Sequence, residues 1–368
     1  MKQFYPLSTF LTEYSEKNIG NTCRPVAVGR YGIRTRESIY SKELAKDYSK
    51  NKLIHKNTLT VGMGSVQIDI GVLTDDITYS VSPAYHTYKI AGVNAEYLRY
   101  CLECRNQDMF SRFVKRGSRQ GKTIDLKRWL TYEIPVYDEN RQQEIVDRLN
   151  QISELIEKRQ EQLVQLSELV KSRFIELFGD PASNSPKWDT GRLGDYMTTL
   201  TDFSANGSYA LLDSQVVMYD EPHYAIMVRT TDLETGDFKN GVKYIDQKAY
   251  ELLGKSKLFG GEMIMNKIGS AGKIYLMPHI ETPASLGRNA FMFRFDQRVN
   301  IVFLYALLTS EYGTAEIQQH VRGAVTKTIT KESTRSIRII VPPIELQEQF
   351  AAFVEQTDKS KYYSITER

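Results

Sequence analysis

The sequence predicts an α+β protein made of two similar mixed α/β units, joined by a long helix and closed by a second, shorter helix. Three observations carry that expectation. A set of short strings recurs in the same order about 205 residues further along the chain. The stretch 139–178 keeps an apolar spacing of alternating fours and threes. Each copy of the repeat also ends in a Pro-bearing apolar segment followed by a Gln-rich helix start.

The repeat is clearest at the end of each copy. Arg116-Gly117-Ser118-Arg119-Gln120-Gly121-Lys122-Thr123-Ile124 returns as Arg322-Gly323-Ala324-Val325-Thr326-Lys327-Thr328-Ile329. Ile134-Pro135-Val136 with Gln142 returns as Ile339-Ile340-Val341-Pro342-Pro343 with Gln347. Further back, Lys52-Leu53 matches Lys257-Leu258, Gly64-Ser65 matches Gly269-Ser270, and Ser80 matches Ser285. Val93-Asn94 matches Val299-Asn300, Leu98 matches Leu304, and Leu102 matches Leu308. A pseudo-two-fold object of this kind can touch two sites on one partner.

Taken in order, residues 1–137 form the first unit. Its β-rich pieces are Leu59-Thr60-Val61 and Val66-Gln67-Ile68-Asp69-Ile70, punctuated by Gly62, Gly64 and Gly71. A helix is expected from Val93 to Phe113, capped by Asn94. Residues 138–179 form the long helix, with Asp138 as its cap. Its seam is Ile145, Leu149, Ile152, Ile156, Leu163, Leu166, Val170 and Leu177, interrupted by Arg159 and Arg173. A 3.5-residue period argues for a coiled-coil partner, and a rise of 1.5 Å per residue gives a rod about 60 Å long. Gly179-Asp180-Pro181 ends it.

The second unit spans 180–342, with 180–191 as a polar linker. It holds Glu262-Met263-Ile264-Met265, the turn Gly269-Ser270-Ala271-Gly272, then Lys273-Ile274-Tyr275-Leu276, and a helix from Ile301 to Val321. The last helix, 343–368, starts with Pro343 at its first position. Its apolar residues are Phe350, Phe353 and Val354, and it is roughly half as long as the first helix.

Composition narrows the function. An apolar fraction of 41% and a charged fraction of 25% are ordinary for globular protein. No apolar run reaches membrane-spanning length, and Met1-Lys2-Gln3-Phe4-Tyr5-Pro6 does not start a signal peptide. Three cysteines (Cys23, Cys101, Cys104) are too few for a disulfide framework, so a cytoplasmic protein is expected. The net charge of +3 is small, but its distribution is informative. Residues 112–128 carry Arg112, Lys115, Arg116, Arg119, Lys122, Lys127 and Arg128 against Asp125. Residues 322–338 carry Arg322, Lys327, Lys331, Arg335 and Arg338 against Glu332. A basic stretch at equivalent places in both copies is the footprint of a phosphate contact made twice.

No catalytic constellation stands out. Pro342-Pro343 lies between Val341 and Ile344, so it is not the Asn/Asp-Pro-Pro-aromatic motif of an adenine methyltransferase. Gly269-Ser270-Ala271-Gly272-Lys273 lacks the Ser or Thr and the glycine spacing of a phosphate loop. Cys101 and Cys104 have no second pair at zinc spacing and read as buried structural cysteines. His55, His86, His223, His279 and His320 are scattered. Asp75-Asp76 and Asp202 offer carboxylates to a metal, although acids in turns are usually solvated or capping. Two other classes stay open: a metal-dependent nuclease, and a coiled-coil scaffold that leaves nucleic acid alone.

The layout resembles the DNA specificity subunit of type I restriction-modification enzymes. Phe178-Gly179-Asp180-Pro181, Trp188, Leu193-Gly194-Asp195, Gly269-Ser270-Ala271-Gly272-Lys273, Arg288-Asn289-Ala290, and Val341-Pro342-Pro343 with Glu345, Gln347 and Gln349 carry the resemblance, which covers nearly the whole chain. It implies two target recognition domains that each read half of a split double-stranded DNA sequence. It also implies two antiparallel helices that space the domains and dock two modification subunits, with a motor-nuclease restriction subunit as a further partner. S-adenosylmethionine, ATP and Mg2+ are then expected in those partners, with no cofactor in this chain. Phosphate contacts fall on Lys115, Arg116, Arg119, Lys122, Arg322 and Lys327, and base-reading candidates are Arg30, Arg34, Arg36, Arg229, Lys267, Arg288 and Asn289. Ile145, Leu149, Ile152, Ile156, Leu163, Leu166 and Val170 would build the rod, with Phe350 and Val354 packed against it. One departure is the last helix, where Tyr362 to Arg368 continues no heptad. A shortened form is expected to bind DNA while assembling weakly, which leaves an orphan or decoy subunit as an alternative.

Overall fold

Leu59, Val61, Ile68, Ile70 and Val72 fall on two neighbouring strands, and all five are buried. Strands covered on both faces lose the polar alternation of an exposed sheet, and both units are built around such strands. The computed structural model describes residues 2–39, 47–117 and 121–366, with side chains of 116–117 and 360–366 left aside. The chain divides into two compact units, Met1–Lys158 and Arg159–Arg368.

The first unit contains β1 (Gln3–Pro6), β2 (Leu11–Tyr14), β3 (Val26–Gly29), β4 (Gly32–Thr35), β5 (Lys52–Ile54), β6 (Thr58–Met63), β7 (Ile68–Leu73), β8 (Tyr79–Val81) and β9 (His86–Ile90). Then come α1 (Ala95–Cys104), α2 (Asn106–Phe113), β10 (Val114–Gly117), β11 (Gly121–Ile124), α3 (Leu126–Trp129), β12 (Glu133–Val136) and the long α4 (Glu139–Phe178). The second unit begins within α4 and continues with β13 (Asp189–Arg192), β14 (Met197–Asp202), α5 (Tyr209–Gln215), β15 (Ala225–Val228), α6 (Thr230–Thr235), β16 (Lys243–Ile245) and α7 (Gln247–Leu252). It adds β17 (Lys257–Leu258), β18 (Met263–Asn266), β19 (Ile274–Leu276), β20 (Ala284–Leu286) and β21 (Ala290–Phe295). Its last elements are α8 (Ile301–Thr309), α9 (Glu311–His320), α10 (Lys331–Arg335), β22 (Arg338–Val341) and α11 (Ile344–Thr366).

The topology repeats strand for strand. The order β2-β9-β6-β7 in the first unit returns as β14-β21-β18-β19 in the second. The pair β1-β12 returns as β13-β22. A second layer follows the same plan: β15 runs parallel to β20, β17 and β16 pair antiparallel at its two sides, and the parallel Pro25–Ser80 bridge with β5-β8 and β3-β4 reproduces it. In each unit helices cover one face of the four-stranded sheet. Leu59, Val61 and Tyr88 meet Tyr97 and Leu98 in the first unit, and Met263, Phe291 and Phe293 meet Phe303 and Leu304 in the second.

Several expectations need correction. The helix expected from Val93 to Phe113 breaks at Arg105, because buried Asn106 turns its amide onto β7, accepting from the Ile68 N–H at 3.0 Å and donating to the Ile68 carbonyl at 2.8 Å. The helix expected from Ile301 to Val321 breaks at Ser310, whose hydroxyl caps α9 by accepting from the Gly313 N–H. A Cβ at Gly313 would lie 2.2 Å from the Leu307 carbonyl oxygen, so the tight joint requires glycine. The linker 180–191 is shorter than expected, since Asp189–Arg192 is a strand paired with β22. Pro343 precedes α11, which starts at Ile344. In α4 the expected seam misses Val146, Phe174 and Phe178, which are the residues buried in the two cores.

One hydrogen-bond device appears in both units. Asn94 caps α1, and its N–H donates to the Oε1 of Gln142 at 2.9 Å. The Gln142 amide then donates to the Tyr137 carbonyl at 2.7 Å. Asn300 caps α8, and its N–H donates to Gln347 Oε1 at 2.8 Å, while Gln347 donates to the Pro342 carbonyl at 2.7 Å. Both glutamines are buried. We expect Gln347→Ala to leave the half-buried Asn300 N–H and the buried Pro342 C=O unpaired, costing about 1–3 kcal/mol. Thermal denaturation should show the loss, and an unchanged midpoint would refute the clamp.

Candidate nucleic-acid interface

The strings that repeat most clearly in the sequence meet in space. In the first unit, Val114–Gly117 and Gly121–Ile124 form a two-stranded arm with Arg116 opposite Lys122. The Lys122 ammonium donates to the Ser65 carbonyl at 2.5 Å and sits 5.1 Å from the Phe110 ring centre, so the arm rests on the β6–β7 turn. In the second unit the arm closes through an Arg322–Thr328 bridge, and Thr328 also bridges Ile268. The Gly269 N–H donates to the Lys327 carbonyl at 3.0 Å, so this arm rests on the β18–β19 turn. Gly323 has φ 105°, and a Cβ there would come within 2.1 Å of the Thr326 carbonyl oxygen.

The basic candidates fare differently. Lys327 is exposed. The Arg322 guanidinium donates to the Gln319 carbonyl at 2.6 Å. Lys115 pairs with Asp125 at 2.8 Å but stays 63% exposed. Arg119 lies outside the described residues, and only the backbone register of Arg116 is described. Arg30 and Arg34 flank Tyr31 at the β3–β4 hairpin tip, with guanidinium carbons 5.8 and 5.2 Å from its ring centre. Arg36 is set apart, over the Tyr48 ring.

In the second unit, three of the four base-reading candidates are held by carboxylates. Arg229 pairs with buried Asp232 at 2.6 Å, and Arg288 pairs with Asp213 at 2.5 Å. Lys267 was expected at a loop tip; instead it is 13% exposed and bonded to Asp202 at 2.7 Å. Lys331 reaches the other oxygen of the same carboxylate at 2.8 Å. Burial pushes the Asp202 carboxyl up, and hydrogen bonds and charge from Lys267 and Lys331 outweigh that and hold it below the usual carboxylate range. Asn289 is exposed, and its carbonyl accepts from the Lys267 N–H at 2.8 Å.

Two exposed side chains escaped the sequence reading. Tyr31 is 70% exposed, and Val325, at the tip of the second arm, is 97% exposed. The only sequence signal was their place among basic residues. Asp202 spends its carboxylate on Lys267 and Lys331, and among the described residues no three His, Cys, Asp or Glu side chains gather to hold a metal. Cys101 is buried as expected, but Cys104 is exposed.

The helix candidates divide by position. Ile145 packs on the first core, and Val170, Leu177 and Val354 pack on the second. Phe350 is fully buried, 5.4 Å from Phe174 and 5.7 Å from Phe178 between ring centres. Leu149, Leu163 and Leu166 are half-buried. Ile152, Leu155 and Ile156 are 52%, 60% and 48% exposed, which leaves an apolar stripe on the middle turns of α4. No described helix is long and apolar enough to cross a membrane.

The fold is one of repeated sheet-and-helix units with a long helix between them, and known proteins share it. Residues 14–166 match the type I restriction modification DNA specificity domain. The chain aligns over its whole length with 92% of the S subunit of a type I restriction-modification system from M. genitalium, at 15% identity and a TM-score of 0.58. An HsdS subunit from Thermoanaerobacter tengcongensis aligns over 99% of this chain and 90% of its own, at 15% identity and a TM-score of 0.39. No curated protein matches the chain. Residues 14–166 are thus similar to the type I DNA specificity domain, and the chain as a whole has the fold of the M. genitalium S subunit.

The Asp202 pair gives a pH prediction. Its folded-state pKa lies below the unfolded one, so the contribution is full above the ordinary carboxylate range and is lost as the pH falls through the lowered value. Asp202→Ala should cost about 3 kcal/mol at neutral pH by stranding Lys267. It should also flatten the acid limb of the stability–pH curve. Chemical denaturation across pH checks both, and an acid limb equal to wild type would refute the assignment.

Proposed function

We propose that this chain is the DNA sequence-specificity subunit of a type I restriction-modification complex, binding a bipartite double-stranded target. One observation carries the reading: a basic arm rests on the same sheet turn in two units of identical topology. Two equivalent phosphate-binding surfaces suit a target read as two half-sites. The chain itself is non-catalytic in this reading. N6-adenine methylation is the work of modification subunits carrying S-adenosylmethionine, and cleavage that of a motor subunit using ATP and Mg2+.

The apolar stripe of Ile152, Leu155 and Ile156 supports docking of those modification subunits on α4. A DNA-recognition subunit of this kind works in the cytoplasm. The test is co-expression with the neighbouring modification subunit and mapping of N6-methyladenine over the host genome. A new split motif with a constant gap is expected. No new methylation, together with no DNA affinity in the purified chain, would overturn the reading; DNA affinity alone would mark an orphan subunit.

Lys327 tests the phosphate contact. Lys327→Ala should lower the salt slope of DNA binding by about one and weaken all sequences alike. Titrations at several salt concentrations measure it, and an unchanged slope removes Lys327 from the interface.

A further inference from the structure

The repeat places an equivalent cleft in each unit. The parallel Pro25–Ser80 bridge superposes on the Met227–Ser285 pair, which makes Ala27 the counterpart of Arg229. The loop entering β9, with Ser82 and Tyr85, is the counterpart of Gly287 and Ala290 entering β21. Ala27, Ser82 and Tyr85 line a cleft of about 300 Å³ in the first unit. Arg229, Gly287 and Ala290 line one of about 340 Å³ in the second.

The two clefts differ in charge. In the second, the guanidinium groups of Arg229 and Arg288 are already paired with Asp232 and Asp213. In the first, Arg36 and Asp69 line the same cleft, yet neither forms an ion pair among the described residues. Arg36 Nε is buried with no hydrogen-bond partner among the described residues. Burial pushes the Asp69 carboxyl up, as expected for a carboxylate with no cation to hold it. Two opposite charges that share a cleft without meeting leave a donor set and an acceptor set open.

The walls are cut to keep that arrangement. A Cβ at Gly62 would sit 2.4 Å from the Tyr85 ring, and one at Gly64 would sit 2.6 Å from Asp69 Oδ1. Both glycines lie at the β6–β7 end where Lys122 bonds to Ser65, so the cleft opens beside the basic arm. Its ligand must accept hydrogen bonds from a guanidinium and donate one to a carboxylate. The major-groove edge of a G·C pair does both: guanine N7 and O6 accept, and the cytosine N4 amino group donates.

We propose that the cleft between β6–β7 and the Ser82–Tyr85 loop reads one G·C pair in one half-site, with Arg36 donating to guanine N7 and O6 and Asp69 accepting from cytosine N4. The assignment rests on the DNA-recognition reading above and adds the base pair and its readers.

The test is selection of bound duplexes by the purified full chain from a pool of random-sequence DNA, followed by sequencing. The wild-type chain should enrich a split motif with one position favouring G·C by about tenfold or more. Asp69→Ala removes the acceptor for cytosine N4, and Arg36→Gln removes the guanidinium fork. Each should erase the preference at that same position and leave the other half-site and the salt dependence unchanged. A thermal melt verifies folding, and if Asp69→Ala does not fold, Arg36→Gln alone decides. Motifs identical to wild type in the folded variants would overturn the cleft while leaving the DNA-recognition reading intact. A wild-type chain that enriches nothing would overturn that reading, and the cleft with it.

Discussion

A buried glutamine ties each sheet-and-helix unit to the helix that follows it. Gln142 and Gln347 each accept from the N–H of the asparagine that caps the unit's first packed helix and donate to a carbonyl at the end of its last strand. An amide can do this because it carries both an acceptor and donors. The glutamines are buried and their partners at least half-buried, so the contact cannot be traded for water without penalty. The start of α4 and the start of α11 are thereby fixed to their units, and the packing of Phe350 on Phe174 and Phe178 follows from where α11 begins.

On that common frame the two units present different chemistry. The basic arms rest on equivalent turns, held in one case by Lys122 on Ser65 and in the other by Gly269 on the Lys327 carbonyl. The second layer carries the divergence. The first unit has a hairpin ending in Arg30 and Tyr31, and an Arg36 and Asp69 that form no ion pair among the described residues, whereas the second has added helices and carboxylates that hold its cations. The proposed reading of two unlike half-sites would call for this combination. The shared arms suit a backbone of constant charge, and the variable layer suits base edges that change.

Much of the frame was legible in the sequence. Asn94 and Asp138 cap α1 and α4 as local chemistry demands, and Gly179 takes a positive φ of 71° after the long helix. The breaks at Arg105 and Ser310 were not legible. The first depends on Asn106 finding Ile68, far away in sequence, and the second on how closely α8 and α9 approach. The α4 seam was incomplete at its ends for a related reason: Ile145, Val170 and Leu177 pack at the edges of the cores, but a heptad pattern describes two helices and does not single out Val146, Phe174 and Phe178, which face the cores directly.

The sequence by itself determined the repeat, the helix boundaries set by caps, and the basic stretch at the end of each unit, because each is written in adjacent or evenly spaced residues. Only the tertiary structure decided which charges remain free. Lys267 and Lys331 converge on Asp202, and Arg229 turns onto Asp232, while Arg36 and Asp69 share a cleft and form no ion pair among the described residues. Whether a cation meets a carboxylate depends on the folded distance between them, and Coulomb attraction at a few ångströms is indifferent to separation along the chain.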